Sequence, residues 1–173
     1  VKDLATSNID DVLALWSGLG YYARARNIHK TAQIIASKYQ SQLPTSIEEL
    51  IELPGIGPST AGAIMALGHR DYGVILDGNV KRILSRCFGL HVDGISTHAQ
   101  KLLWQFSHYV TPQKKCHIYT QGIMDLGAVV CHKHQQQCAK CPLDNICYAH
   151  IHHVTNHLPL KKPKKIKPTH KKY

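Results

Sequence analysis

The sequence predicts an all-α fold, and three observations carry that expectation. Apolar residues recur every three or four positions between breaks rich in glycine and proline, the spacing that lines one face of a helix. No stretch alternates apolar and polar residues as a half-buried strand does, and no internal repeat is present. The 173 residues are 43% hydrophobic and 18% charged, enough to bury a core in one domain of ordinary size or two small lobes.

The elements follow in order. Ile9, Val12, Leu13 and Trp16 form a first apolar face, closed by the glycines at 18 and 20. Ile28, Ala32, Ile35 and Tyr39 form a second, which ends before Leu43-Pro44. Thr45 and Glu48 have the spacing of a capping box and open a short helix through Leu53. The run Pro-Gly-Ile-Gly-Pro at 54–58 interrupts, and Pro58 suits the first turn of a helix running to about Leu67. Val74, Ile75 and Leu76 are a short apolar run in which a strand is allowed. They lead into Asp77-Gly-Asn, the start of a helix carrying Val80, Ile83, Leu84 and Cys87. Two more helices are expected at 97–110, with Leu102, Leu103, Phe106 and Tyr109, and at 117–130, with Tyr119, Ile123, Leu126 and Val130.

No apolar run approaches the ~18 residues a membrane helix needs, and the first residues lack the basic-then-apolar pattern of an export signal. The expectation is a soluble chain with no membrane partner. Lys and Arg number 21 against 11 Asp and Glu, a formal charge of +10. Seven of the lysines, Lys161, Lys162, Lys164, Lys165, Lys167, Lys171 and Lys172, stand in an acid-free tail, so the basicity is mostly terminal. Such a tail serves as a solvated linker or as a polyanion contact, and the two roles are compatible.

Of the 6 cysteines, Cys131, Cys138, Cys141 and Cys147 crowd into one stretch with the spacing C-x6-C-x2-C-x5-C. Four soft sulfurs in a compact loop suit a tetrahedral zinc ion or one iron–sulfur cube, with disulfides a third option; spacing alone does not choose. A reducing compartment fits the metal readings best. His132, His134 and His150 lie nearby and read as solvated loop histidines, while Cys87 and Cys116 read as ordinary thiols, on a core helix face and in a loop.

Two further places have chemical value. The Pro-Gly-Ile-Gly turn sits between two short helices; its glycines let the backbone approach another surface, and the following helix offers unpaired amides to a phosphate. The alternative is a plain helix turn. Asp77 is either a simple helix N-cap or a carboxylate held ionised at a helix N-terminus, able to face a developing positive charge.

Together the stretches LWSGLGYYARARNIHK (15–30), ELPGIGPSTAGAI (52–64), ILDGNVKRIL (75–84), MDLGAVVC (124–131) and the cysteine run resemble the helix-hairpin-helix DNA glycosylases with an iron–sulfur cluster, most closely the MutY-type adenine DNA glycosylases. The resemblance covers nearly all of residues 1–150, with independent motifs in the family's order. It implies a two-lobed helical fold: a helical barrel lobe with the hairpin over 1–73, a cluster lobe over 74–150 and a basic linker over 151–173. It also implies a [4Fe–4S] cluster on Cys131, Cys138, Cys141 and Cys147, which orders a DNA-facing loop with Lys133 and Lys140. Gly55 and Gly57 match the phosphate-binding hairpin, Tyr21 a tyrosine that wedges into the base stack, and Gln121 a DNA contact.

The implied reaction is hydrolysis of the N-glycosidic bond of adenine opposite 8-oxoguanine or guanine in duplex DNA, by a monomer in the cytoplasm or, in a eukaryote, the nucleus. Asp77 matches the carboxylate that steadies the cationic sugar, and Asn79 a supporting hydrogen-bonding residue. Ser59 stands where endonuclease III-like relatives carry a lysine nucleophile; a hydroxyl forms no imine, which favours a water nucleophile and a monofunctional enzyme. Thr120 departs from the asparagine usual in the family.

The family's catalytic glutamate lies on a helix upstream of the matched region, and its 8-oxoguanine-recognition domain follows a linker like LPLKKPKK. Glu48, Glu49 and Glu52 read as helix-surface residues. The expectation is a chain that binds DNA yet excises slowly. The alternatives are a non-catalytic DNA-binding remnant and an endonuclease III-like lyase.

Overall fold

The structure, a computed structural model, describes residues 1–160; the lysine-rich tail and most of the expected linker lie outside the described residues. Among the described residues the regular structure is helical, as the sequence predicts, and no strand is present. Val74, Ile75 and Leu76 are buried at 4%, 3% and 4% exposure in a segment outside regular secondary structure. Burial on all sides explains their composition without a sheet.

Two compact units divide the chain: Val1–Ile75 with Thr111–Gln121, and Leu76–Val110 with Gly122 onward. The first unit opens with α1 (Lys2–Thr6) and α2 (Ile9–Leu15), both packed on α3 (Tyr22–Lys38). Asn8 caps α2 by accepting from the Asp10 amide. The buried stripe of α3 is Ala25, His29, Ala32 and Ile35. It runs at positions i, i+4, i+7 and i+10, and leaves Ile28 exposed at 44%. The sequence reading placed Ile28 on that stripe and omitted His29; Tyr39, also placed there, does pack against the core of this unit. In the structure a ring nitrogen of His29 pairs with the Ser7 carbonyl at 2.9 Å, which makes its burial tolerable.

The capping box before α4 (Ile47–Ile51) lies one residue later than expected: Ser46, not Thr45, accepts from the Glu49 amide at 3.3 Å. Leu50 and Leu53 then join Ile35, Ala61 and Met65 in the core of this unit. α5 (Pro58–Ala63) has Pro in its first turn and runs on as a wider π-type segment over Ile64–His69, slightly beyond the expected end at Leu67. Its packing depends on small residues. A Cβ on Gly62 would overlap the Val74 carbonyl, and one on Gly73 the Gly62 carbonyl. The buried segment therefore lies backbone against backbone on this helix. Cys116, expected in a loop, instead begins α8 (Cys116–Val129), is 3% exposed and donates its S–H to the Gly73 carbonyl at 3.3 Å.

The second unit is built on α6 (Gly78–Cys87), which packs against α7 (Thr97–Val110) and the short α9 (Tyr148–Ile151). Val80, Ile83 and Leu84 of α6 are buried as predicted, as is Leu103 of α7, whereas Tyr109 is 83% exposed. A single 3₁₀ turn, Cys138–Lys140, lies in the cysteine loop.

Candidate functional site

In the second unit the chemistry starts at the first turn of α6. Asp77 is its N-cap: Oδ1 accepts from the Val80 amide at 2.8 Å, which fixes the carboxylate at the positive end of the helix. Asn79 follows one turn-position on, and its Oδ1 accepts from Arg82 Nη2 at 2.8 Å. The same nitrogen donates to the Gly127 carbonyl, and Arg82 Nε to the Cys131 carbonyl, both at 2.8 Å. Gly127 is required here, because a Cβ would stand 2.5 Å from that of Asn79. Asn79 is thus held from two sides.

One turn later Arg86 is 3% exposed. Its Nε donates to the Thr155 and Leu158 carbonyls at 3.0 Å each, Nη1 to the His132 carbonyl at 2.7 Å and to Cys131 Sγ at 3.2 Å, and Nη2 to the Lys133 carbonyl at 3.3 Å. A buried guanidinium satisfied by carbonyls and a sulfur gathers the start of the cysteine loop and the 155–158 segment onto α6. Sequence reasoning missed Arg82 and Arg86. The signal was present: two arginines four residues apart lie on one helix face, and that face meets the loop at Cys131.

Cys131, Cys138, Cys141 and Cys147 line one cavity, with Cys87 and His150 also on its wall. Neither is the bystander that the sequence reading made it. Burial pushes the Cys138 thiol up, with Cys131 and Cys147 adding and Arg86 opposing. Burial likewise raises Cys141 against the pull of the Leu143 amide, and it raises Cys87, with Cys147 as the next cause. Among the described residues no group of three or more His, Cys, Asp or Glu side chains is placed to hold a single metal ion. Four cysteine sulfurs on one cavity wall are a soft donor set of the kind that zinc or an iron–sulfur cluster takes. Lys133 and Lys140 are exposed on this loop.

The first unit carries the other expected residues. The turn between α4 and α5 places Gly55 at φ +79°, where a Cβ would come within 2.8 Å of the Asn27 amide nitrogen. Both conformation and space therefore demand glycine. Thr31 donates to the Pro54 carbonyl at 3.0 Å and ties the turn to α3. Gly57 is the N-cap of α5, with nothing within 4 Å of its Cβ position, so this backbone is open to an approaching group. Ser59 is partly buried on α5, and Gln121 is exposed on α8 beside the fully buried Thr120. Thr120 stands 3.8 Å from Cys116 Sγ, a tight site that a small hydroxyl suits. Tyr21 is no core aromatic: it is 81% exposed at φ 50°, with the Arg24 guanidinium 5.4 Å from its ring centre.

Residues 1–107 match the family model of the HhH-GPD superfamily of base excision DNA repair proteins, and the chain belongs to that family. Within it the chain is similar to adenine DNA glycosylases. It is 46% identical over 168 residues to that of Buchnera aphidicola subsp. Acyrthosiphon pisum, a match covering 97% of this chain and 48% of the relative. It is 34% identical over 140 residues to that of Schizosaccharomyces pombe, covering 80% and 30%. The chain spans about half the length of the bacterial relatives it matches. The fold is that of a thermostable thymine-DNA glycosylase (TM-score 0.74, 23% identity, 87% of this chain and 70% of that one). It is equally that of endonuclease III in a non-covalent DNA complex (TM-score 0.72, 22% identity, 88% and 70%).

Proposed function

We propose that this chain is the core of a monofunctional adenine DNA glycosylase that hydrolyses the N-glycosidic bond of adenine opposite 8-oxoguanine or guanine in double-stranded DNA. The observation that carries the reading is Asp77, a carboxylate locked to the N-terminus of α6 by the Val80 amide. Flipping the target nucleotide out of the stack brings its sugar to the protein at a cost of a few kcal/mol. As the bond to adenine breaks, positive charge builds on the sugar, and a fixed anion such as Asp77 lowers that barrier. Arg82 presents Asn79 beside it in one orientation. Ser59 offers no amine, so water completes the reaction at the sugar and the strand stays intact.

The phosphate backbone is met by the amides following Gly55 and Gly57 and by Lys133 and Lys140, while Tyr21 holds the stack open. The partner is duplex DNA, and one copy of the chain suffices. Cys131, Cys138, Cys141 and Cys147 fit a [4Fe–4S] cluster by donor type and by their shared cavity. When bound, the cluster braces the loop that bears the two lysines and supplies no hydrolytic chemistry.

A second reading, DNA binding without excision, is favoured by the glutamates. Glu49 sits in the α4 capping box, Glu52 pairs with Lys38 at 3.5 Å, and Glu48 is exposed on α4. All three are exposed on the surface around α4. Losing a general acid costs roughly 10²–10⁴-fold in rate. Single-turnover adenine release from an A:8-oxoG duplex, with enzyme in excess, decides between the readings. Slow abasic-site formation that Asp77→Asn abolishes supports the glycosylase; salt-dependent binding with no product supports the second reading. A borohydride-trapped covalent adduct would instead revive a lyase.

A further inference from the structure

Cys87 is the fifth cysteine on the wall of the cavity lined by Cys131, Cys138, Cys141 and Cys147. It is the last residue of α6, and it packs on the small buried cluster of Cys147, Ala149 and Leu158. Burial raises its thiol, and Cys147 is the next cause, ahead of Cys131 and Cys141. α6 and α9 pack together, and Cys147 is the N-cap of α9, so Cys87 and Cys147 meet in one buried cluster from two helices. Arg86, next to Cys87 in sequence, contacts Cys131 Sγ from the same helix end.

A thiol placed beside one ligand of a four-sulfur site, on a rigid element and facing the same cavity, has the chemistry to take over that ligand's corner. We propose that Cys87 is a reserve iron ligand, able to replace Cys147 in the iron–sulfur site. The inference rests on the cluster reading above. The exchange is redox-neutral: the iron–sulfur bond to Cys147 breaks, one to Cys87 forms, and the proton leaving Cys87 passes to the released Cys147 thiolate. Cys138, in the 3₁₀ turn of the loop, is not part of the Cys147 cluster on which Cys87 packs, so its corner serves as the control.

The test is iron and sulfide content, with the visible absorbance of the cluster, in the full chain and its Cys87→Ser, Cys147→Ser, Cys138→Ser and Cys147→Ser/Cys87→Ser variants. Cys87→Ser and Cys147→Ser should each keep most of the iron. The double variant and Cys138→Ser should each lose roughly tenfold or more, the scale of a lost metal-site partner. Cys147→Ser as empty as the double variant, a double variant as full as Cys147→Ser, or Cys138→Ser as full as Cys147→Ser would each overturn the proposal. A Cys147→Ser chain recovered only as aggregate is refolded from guanidinium with ferrous iron and sulfide, and the same comparisons apply. Wild-type chain free of iron and sulfide would refute the cluster reading itself, a distinguishable failure.

Discussion

The turn at 54–57 and the cysteine loop at 131–147 solve the problem of holding irregular backbone in opposite ways. The turn is shaped by absence: Gly55 accommodates the Asn27 side chain, and the helix that follows needs Gly62 to lie against the Val74 carbonyl. The loop is shaped by cations: Arg82 and Arg86 reach from α6 and collect carbonyls at 127, 131, 132, 133, 155 and 158. Steric devices of the first kind work whatever is bound. A guanidinium resting on carbonyls and a sulfur works best when something anionic occupies the cavity beside it, so the loop is the region whose order depends on its occupant.

The sharpest way to break this contrast is Arg86→Ala. Losing several charge-assisted hydrogen bonds from a buried position should cost about 3–5 kcal/mol, read from denaturant melts, and should release iron from the loaded chain. Next is Gly62→Ala, expected to cost about 2–3 kcal/mol by overlap with a backbone that has no rotamer to change, while leaving iron content intact. That difference in iron is what separates the two kinds of support. Ser46→Ala should cost about 1 kcal/mol, the value of an N-cap. Smallest in stability is Tyr21→Ala, within about 0.5 kcal/mol because the ring is exposed. Its effect should appear instead as about 1–2 kcal/mol of weaker duplex binding, measured by fluorescence anisotropy.

The contrast also explains what was legible in the sequence. α6, α7 and α8 were readable from apolar spacing, with the Asp77 cap setting the start of α6, and Gly55 was readable because its left-handed turn position favours glycine. The buried stripe of α3 was misread because one of its members is His29, whose burial follows from a carbonyl 22 residues away. The cap at Ser46 was misplaced by one residue because Thr45 and Ser46 both precede acids at the right spacing. Arg82 and Arg86 were missed despite their shared helix face, for a related reason: charge on a helix reads as solvent exposure until the loop that buries it is known. Cys87 was taken as core packing, since its neighbours at the cavity come from residues more than forty positions on.

The chain leaves its first unit after Ile75 and comes back for Thr111–Gln121. During synthesis, therefore, the opening 75 residues wait with an incomplete interior until position 121 has emerged, because the Cys116 thiol that meets Gly73 arrives only then. A fragment ended between these points lacks the Cys116 side chain that meets the Gly73 carbonyl.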